Sequence, residues 1–258
     1  MNVEKLKERK KELGYSNEKI AEISGVPLST VQKVFAGVTQ QPRYDTLVAL
    51  ERALENINVR ETVFQYGIDK AQGEYTIEDY EKIPEDVRVE LIDGVFYVIS
   101  SPSVVHQQLV FTLCQKLNSF IRGNGGECVA MLSPMDVHLK SDDNKTMVQP
   151  DVFVVCDRQK FTKHRIEGAP DLVIEVVSES SKRKDVAVKL PKYEEAGVKE
   201  YWLVDPDSKR IVVYVLGVDM IPNVYTFEDR IPVAIFDNEC VIDMQEIYGD
   251  LQFFFGLE

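Results

Sequence analysis

Two carboxylates stand where a folded chain rarely leaves them unaccompanied. Glu175 lies inside APDLVIEVV (169–177), an aliphatic and β-branched run, opened by a proline, that reads as a buried strand. A carboxylate in such a strand is costly to bury without a partner. Asp151 follows Pro150 at the mouth of a second such run, DVFVVC (151–156). Consecutive strands are neighbours about two-thirds of the time, so one acid from each could converge on one point. Two carboxylates there repel unless a proton or a cation intervenes, and a hard divalent cation such as Mg²⁺ is the natural companion. Each acid also has a plainer reading. Asp after Pro commonly bonds its own backbone in a turn, and a strand glutamate at a sheet edge reaches solvent.

The elements around these acids can be read from period and punctuation. VELIDGVFYVIS (89–100) is a hairpin turning at Asp93-Gly94. Residues 106–122 carry Leu109, Leu113, Leu117 and Phe120 on one helical stripe. CVAMLSPMDVHL and VQPDVFVVC are strands joined by SDDNK, and EYWLVD with RIVVYVL forms a last hairpin around PDSK. Between DLVIEVV and that hairpin, SESSKRKDVAVKLPKYEEAGV reads as a helix after a polar loop. On it Asp185, Lys189 and Lys192 share one face, opposite Val186, Leu190 and Tyr193, with Pro191 expected to kink the helix just after Lys189. The order of elements predicts an α/β domain with one mixed central sheet and helices packed on it. Lys182, Arg183 and Lys184 open the most basic stretch of this domain, either a local track for a DNA backbone or a solvated cluster. His106 stands behind the acids or simply at a helix start.

Several ordered blocks here resemble one family. They are ELIDG (90–94), SPSVVHQQL (101–109), QPDVFVV (149–155), APDLVIEVVSESS (169–181) and KLPKYEEAGVKEYWLVDP (189–206). Together they resemble the Uma-type putative restriction endonuclease family, within the PD-(D/E)xK nuclease superfamily and its restriction-endonuclease-like fold. The resemblance implies acidic roles for Glu90, Asp151 and Glu175, with Mg²⁺, or Mn²⁺ in its place, as cofactor. The superfamily's lysine would fall two residues after Glu175, where this chain has Val177. A lysine from the following helix is the substitute the family suggests, and Lys189 matches it.

The first residues have a different character. Val3, Leu6 and Leu13 predict a helix ended by Gly14, and Ser16 caps a second one, Asn17 to Ser24, whose apolar side is Ile20, Ala21 and Ile23. Gly25-Val26 turns into a third helix, Leu28 to Ala36, that buries Val31, Val34 and Phe35 and points Ser29, Thr30, Gln32 and Lys33 outward before Gly37. A fourth, Asp45 to Leu54, follows. This layout is a helix-turn-helix, or alternatively a four-helix protein-binding module. YSNEKIAEISGVPLSTVQKVFAG resembles the XRE-type, lambda-repressor-like family over about residues 3–55. The resemblance implies contacts to bases and phosphates from Ser29, Thr30, Gln32 and Lys33 and a backbone contact from Asn17.

Charge separates the two parts. Residues 1–55 hold 9 Lys+Arg and 8 Asp+Glu, the remainder 21 and 35, and the whole chain is at −13. The acidity of the second part argues against indiscriminate nucleic-acid binding by it. A near-neutral helical module is itself weakly drawn to phosphate, so dimerisation is expected to supply affinity. No apolar run suits a membrane span and no signal peptide opens the chain, so a cytoplasmic location is expected. Four scattered cysteines and three scattered histidines indicate neither disulfides nor zinc.

The sequence therefore predicts an all-α helix-turn-helix domain (1–66), a linker (67–74) and an α/β restriction-endonuclease-like domain (75–258). The expected function is Mg²⁺-dependent hydrolysis of phosphodiesters in double-stranded DNA by a homodimer. A catalytically inactive regulator, using the nuclease-like domain for dimerisation or sensing, is the competing reading, and RNA is a third option.

Overall fold

The computed structural model describes residues 3–13, 15–39, 42–51, 53–54, 66, 68, 70–84, 86–140, 143–178, 181–217 and 221–256. Gly14, expected to end the first helix, the side chains of Ile23 and Arg183, and part of the expected linker lie outside the described residues.

The N-terminal helices are α1 (Val3–Leu13), α2 (Asn17–Ser24), α3 (Leu28–Phe35) and α4 (helical at 44–51). Ser16 caps α2 by accepting from the Lys19 amide at 3.2 Å, and Gly25 closes it at φ 65°, a left-handed turn that glycine adopts freely. Leu6, Ile20, Val31, Val34, Leu50 and Leu54 form the small core. No helix among the described residues is long and apolar enough to cross a membrane.

The second part begins with α5 (Ile77–Tyr80) and the hairpin of β1 (Val89–Ile92) and β2 (Val95–Val98). Asp93 and Gly94 both have positive φ, as the tight hairpin turn demands. A side chain at Gly94 would collide with the Gly73 carbonyl, 2.5 Å from an added Cβ, and the Gly73 amide donates to Gly94 at 2.7 Å. Ile68 and Gln72, inside the stretch expected as linker, also pack or bond onto this hairpin.

After α6 (Val104–Gly123) come β3 (Val129–Leu132), β4 (Val137–His138), β5 (Met147–Val148), β6 (Val152–Val155), β7 (Ile166–Glu167) and β8 (Leu172–Val176). Then follow α7 (Lys182–Lys184), a π-helical turn Asp185–Lys189, α8 (Leu190–Ala196), β9 (Glu200–Asp205), β10 (Arg210–Val215) and β11 (Asn223–Thr226). β12 (Arg230–Pro232), β13 (Val241–Asp243) and α9 (Met244–Phe255) complete the domain.

The central sheet is mixed, in the order β11-β10-β9-β8-β6-β3, with β8 and β9 parallel and its other pairs antiparallel. The expectation of one sheet is too simple, because β2-β1-β5-β4-β7 forms a second, five-stranded sheet. Alternation along the strands explains the layering. Val152, Val154, Leu172, Ile174 and Val176 face α6 and α9, whereas Phe153, Val155, Val173 and Val177 face α8 and the second sheet. Glu175 belongs to the latter face, so it points between the layers and not to a sheet edge.

The cysteines correct the sequence reading. Cys128 and Cys156 form a disulfide across β3 and β6, while Cys114 and Cys240 are buried and free. The antiparallel register that pairs Val129 with Val155 brings the next residues outward face to face, a pairing that chain spacing alone does not reveal.

Candidate active site

Four chain segments deliver the candidate residues to one cleft. β6 and β8 pair with Val152 opposite Ile174, which sets Asp151 opposite Glu175, and opposite residues of an antiparallel pair share a face. The Asp151 amide lies 3.4 Å from Glu175 Oε2, and the Val176 amide donates to Asp151 Oδ2 at 2.9 Å. Glu90 arrives from β1. That strand pairs with β5, whose continuation through Gln149 and Pro150 becomes Asp151, and the Gln149 amide donates to Glu90 Oε1 at 3.0 Å.

Lys189 comes from the π-helical turn. Its Nζ lies 2.7 Å from Glu90 Oε1, 2.8 Å from Glu175 Oε1 and 3.7 Å from Asp185 Oδ1. The expected kink at Pro191 is replaced by this wider turn, with Pro191 seated in the first turn of α8, where its missing amide is harmless. Widening changes which side chains share a face. Lys189 turns inward with Leu190 and Tyr193, while Val186, expected on the apolar side, is 39% exposed. Lys192 also leaves the shared face and bonds Asp93 at 2.7 Å. The Tyr193 hydroxyl donates to Glu175 Oε1 at 2.8 Å.

Burial and charge set the protonation of the group. Glu90 is buried, yet Lys184 and Lys189 hold its carboxyl down to about 2. Glu175 is pushed up to about 8 by burial, because Lys189 offsets that effect only partly and Asp151, Asp185 and Glu90 add repulsion. Burial opposes the Lys189 charge, but Glu175, Glu90 and Asp185 outweigh it and raise the ammonium well above its usual range. Lys189 is therefore a fixed cation, not a base.

The fit to a divalent cation rests on free oxygens. No cluster of three or more His, Cys, Asp or Glu with metal-binding geometry occurs among the described residues, and the Lys189 ammonium contacts both Glu90 and Glu175. Among those residues, however, Asp151 Oδ1 accepts no hydrogen bond, and Glu175 Oε2 receives only the long contact from the Asp151 amide. These are hard oxygen donors on adjacent strands beside an open cleft, the donor type Mg²⁺ takes.

Other expected residues take varied places. Lys184 donates to Glu90 at 2.7 Å and Lys182 to Asp205 at 2.5 Å, so both ammonium groups are engaged within the protein. Ser29, Gln32 and Lys33 are exposed on α3 and Thr30 is half-buried; Asn17 receives a hydrogen bond from Lys10. His106 Nε2 lies 3.1 Å from Asp151 Oδ2. Sequence reasoning missed Tyr193, set aside as apolar, and Asp185, placed only on the helix face it was expected to share with Lys189 and Lys192. It also missed Gln149, although Gln149 directly precedes the Pro-Asp pair.

A family model described as putative restriction endonuclease, Uma2, matches residues 77–244, and a helix-turn-helix model matches residues 6–61. Among solved structures, a putative nuclease of the DUF820 group from Anabaena variabilis aligns with a TM-score of 0.56 at 21% identity, covering 67% of this chain and 97% of that one. At that identity the likeness speaks for the fold. No curated protein matches. With its α/β domain matched from α5 into α9 and a helix-turn-helix ahead of it, the chain belongs to the Uma2 family of putative restriction endonucleases.

Proposed function

We propose that the chain is a divalent-metal-dependent DNA endonuclease brought to its substrate by the helix-turn-helix. The observation that carries this reading is the meeting of Asp151 and Glu175, from neighbouring strands, with Glu90 and Lys189 from two other segments. Asp151 Oδ1 and Glu175 Oε2 would hold Mg²⁺ or Mn²⁺, with Glu90 behind them. When bound, the ion supplies Lewis-acid polarisation of a phosphodiester and a more acidic water.

The chain's own residues do the rest. Lys189, permanently charged, stabilises negative charge that grows on phosphoryl oxygens and orients the attacking water. Tyr193 and Lys189 both hold Glu175 Oε1, which leaves Oε2 turned toward Asp151. His106 and the Val176 amide fix Asp151 through Oδ2 in the same way. On α3, Ser29, Thr30, Gln32 and Lys33 would meet the major groove and Asn17 the backbone, in a homodimer that doubles the weak contact of one near-neutral module. Arg183 would meet a phosphate, whereas Lys182 and Lys184 would first have to release Asp205 and Glu90.

One observation favours the second reading, an inactive regulator. Glu90 and Glu175 are already countered by lysines, so the fold balances much of its charge without an ion. Conversion of supercoiled plasmid to nicked or linear forms in Mg²⁺ or Mn²⁺, and not in EDTA, supports the endonuclease. Intact DNA binding without cleavage in either ion supports the regulator.

A further inference from the structure

The described lysines that line the cleft are engaged by acids. Lys184 is held by Glu90 and Lys189 by Glu90 and Glu175, while His106 Nε2 lies against Asp151 Oδ2. Arg88 lines the same cleft, two residues before Glu90, and has no hydrogen bond or ion pair from its side chain among the described residues; its Nε is buried without an acceptor. Its backbone is nevertheless fixed, because the Arg88 carbonyl accepts from the Ile99 amide at 3.0 Å at the end of the β1–β2 hairpin away from its turn.

The wider pattern is not random. Among the described residues four buried side-chain polar atoms lack a partner, and three belong to this cleft: Arg88 Nε, His106 Nδ1 and Gln149 Oε1. Gln149 is oriented by its Nε2, which donates to Asp136 at 2.9 Å, so its carbonyl oxygen is the free end. Buried polar groups are nearly always satisfied, so a concentration of unsatisfied ones marks a place completed by something polar from outside.

Charge tells which part of a substrate Arg88 suits. A guanidinium only donates, and its planar fork matches two oxygens of a phosphate. A nucleic-acid backbone entering a cleft lined by Glu90, Asp151, Glu175 and Asp185 is repelled unless a free cation receives it. Lys184 and Lys189 are already held by those acids. We propose that Arg88 binds the non-bridging oxygens of a DNA phosphodiester in the cleft and so positions the strand over Asp151 and Glu175. This assignment rests on the endonuclease reading.

The test compares the full chain with R88Q and R88K. Binding of a labelled duplex is measured in EDTA against NaCl concentration, in a background where Q32A and K33A weaken the contribution of α3. One lost phosphate contact reduces the slope of log affinity against log salt by about 0.9, with about tenfold weaker binding for R88Q. R88K keeps the slope because the charge stays. In nicking assays R88Q raises KM, whereas a purely structural residue would lower the melting temperature and leave the salt slope alone. An unchanged slope and unchanged KM in R88Q overturn the assignment, even where the wild type cleaves. A changed slope with a wild type that never cleaves retains Arg88 as a phosphate contact and defeats only the endonuclease reading.

Discussion

At the scale of single residues, the site is a set of buried acids held in shape by one buried lysine. Lys189→Met removes the only cation touching Glu175 among the described residues and leaves buried carboxylates unpaired. The expected loss is about 3 kcal/mol or more of stability, read by urea unfolding, together with loss of metal-dependent cleavage. Tyr193→Phe is a milder probe, because it deletes one hydrogen bond to Glu175 and keeps the ring in its core. It should cost about 1 kcal/mol while lowering kcat more than it raises KM, since its effect is on the aim of a carboxylate. Two of the acids stood out in the sequence, since Glu175 interrupts an apolar strand and Pro150-Asp151 opens an earlier one, whereas Glu90 was drawn from the family resemblance alone. Arg88 and Gln149 did not stand out, since an unsatisfied polar atom is a property of packing and leaves no trace in residue type.

At the scale of elements, convergence comes from register and from one irregular turn. Adjacency of β6 and β8 matches the expectation for the two apolar runs, although β7 lies between them in the chain and joins the other sheet, and the strand and hairpin assignments follow from alternation and from Asp93-Gly94. The π-helical turn Asp185–Lys189 could not be read, because the same letters fit a regular helix, and only tertiary packing decides that Lys189 faces inward and Val186 outward. The second sheet was hidden for a related reason: β4, β5 and β7 are two residues each, too short to carry a period. One element offers a pH signature. Asp79 in α5 is buried, but Lys70 at 2.5 Å, Lys82 at 3.1 Å and the Thr76 amide at 3.0 Å draw its carboxyl down to about 2 against that burial. A depressed folded value means stability present above the unfolded pKa near 3.8 and lost as pH falls through about 2. Asp79→Asn should therefore destabilise the domain by about 2 kcal/mol at neutral pH, and thermal melts should converge with wild type as pH falls from about 4 to 2.

At the scale of the whole molecule, labour is divided by charge. The acidic second part, with 35 Asp+Glu against 21 Lys+Arg beyond residue 55, is poorly suited to gather DNA by itself, so the proposed function gives the helix-turn-helix the task of raising the local concentration of substrate. Substituting Gln32 and Lys33 by alanine should weaken duplex binding in fluorescence anisotropy and raise KM, with kcat at saturating DNA retained. Acids that chain order brings together and a module that recruits DNA describe one enzyme only if those acids carry the chemistry. Nicking of supercoiled plasmid in Mg²⁺ by wild type, Asp151→Ala and Glu175→Ala, side by side, tests that most directly. Cleavage by wild type alone, abolished by EDTA, is the predicted result; no cleavage by wild type in Mg²⁺ or Mn²⁺, or equal cleavage by all three, would contradict it.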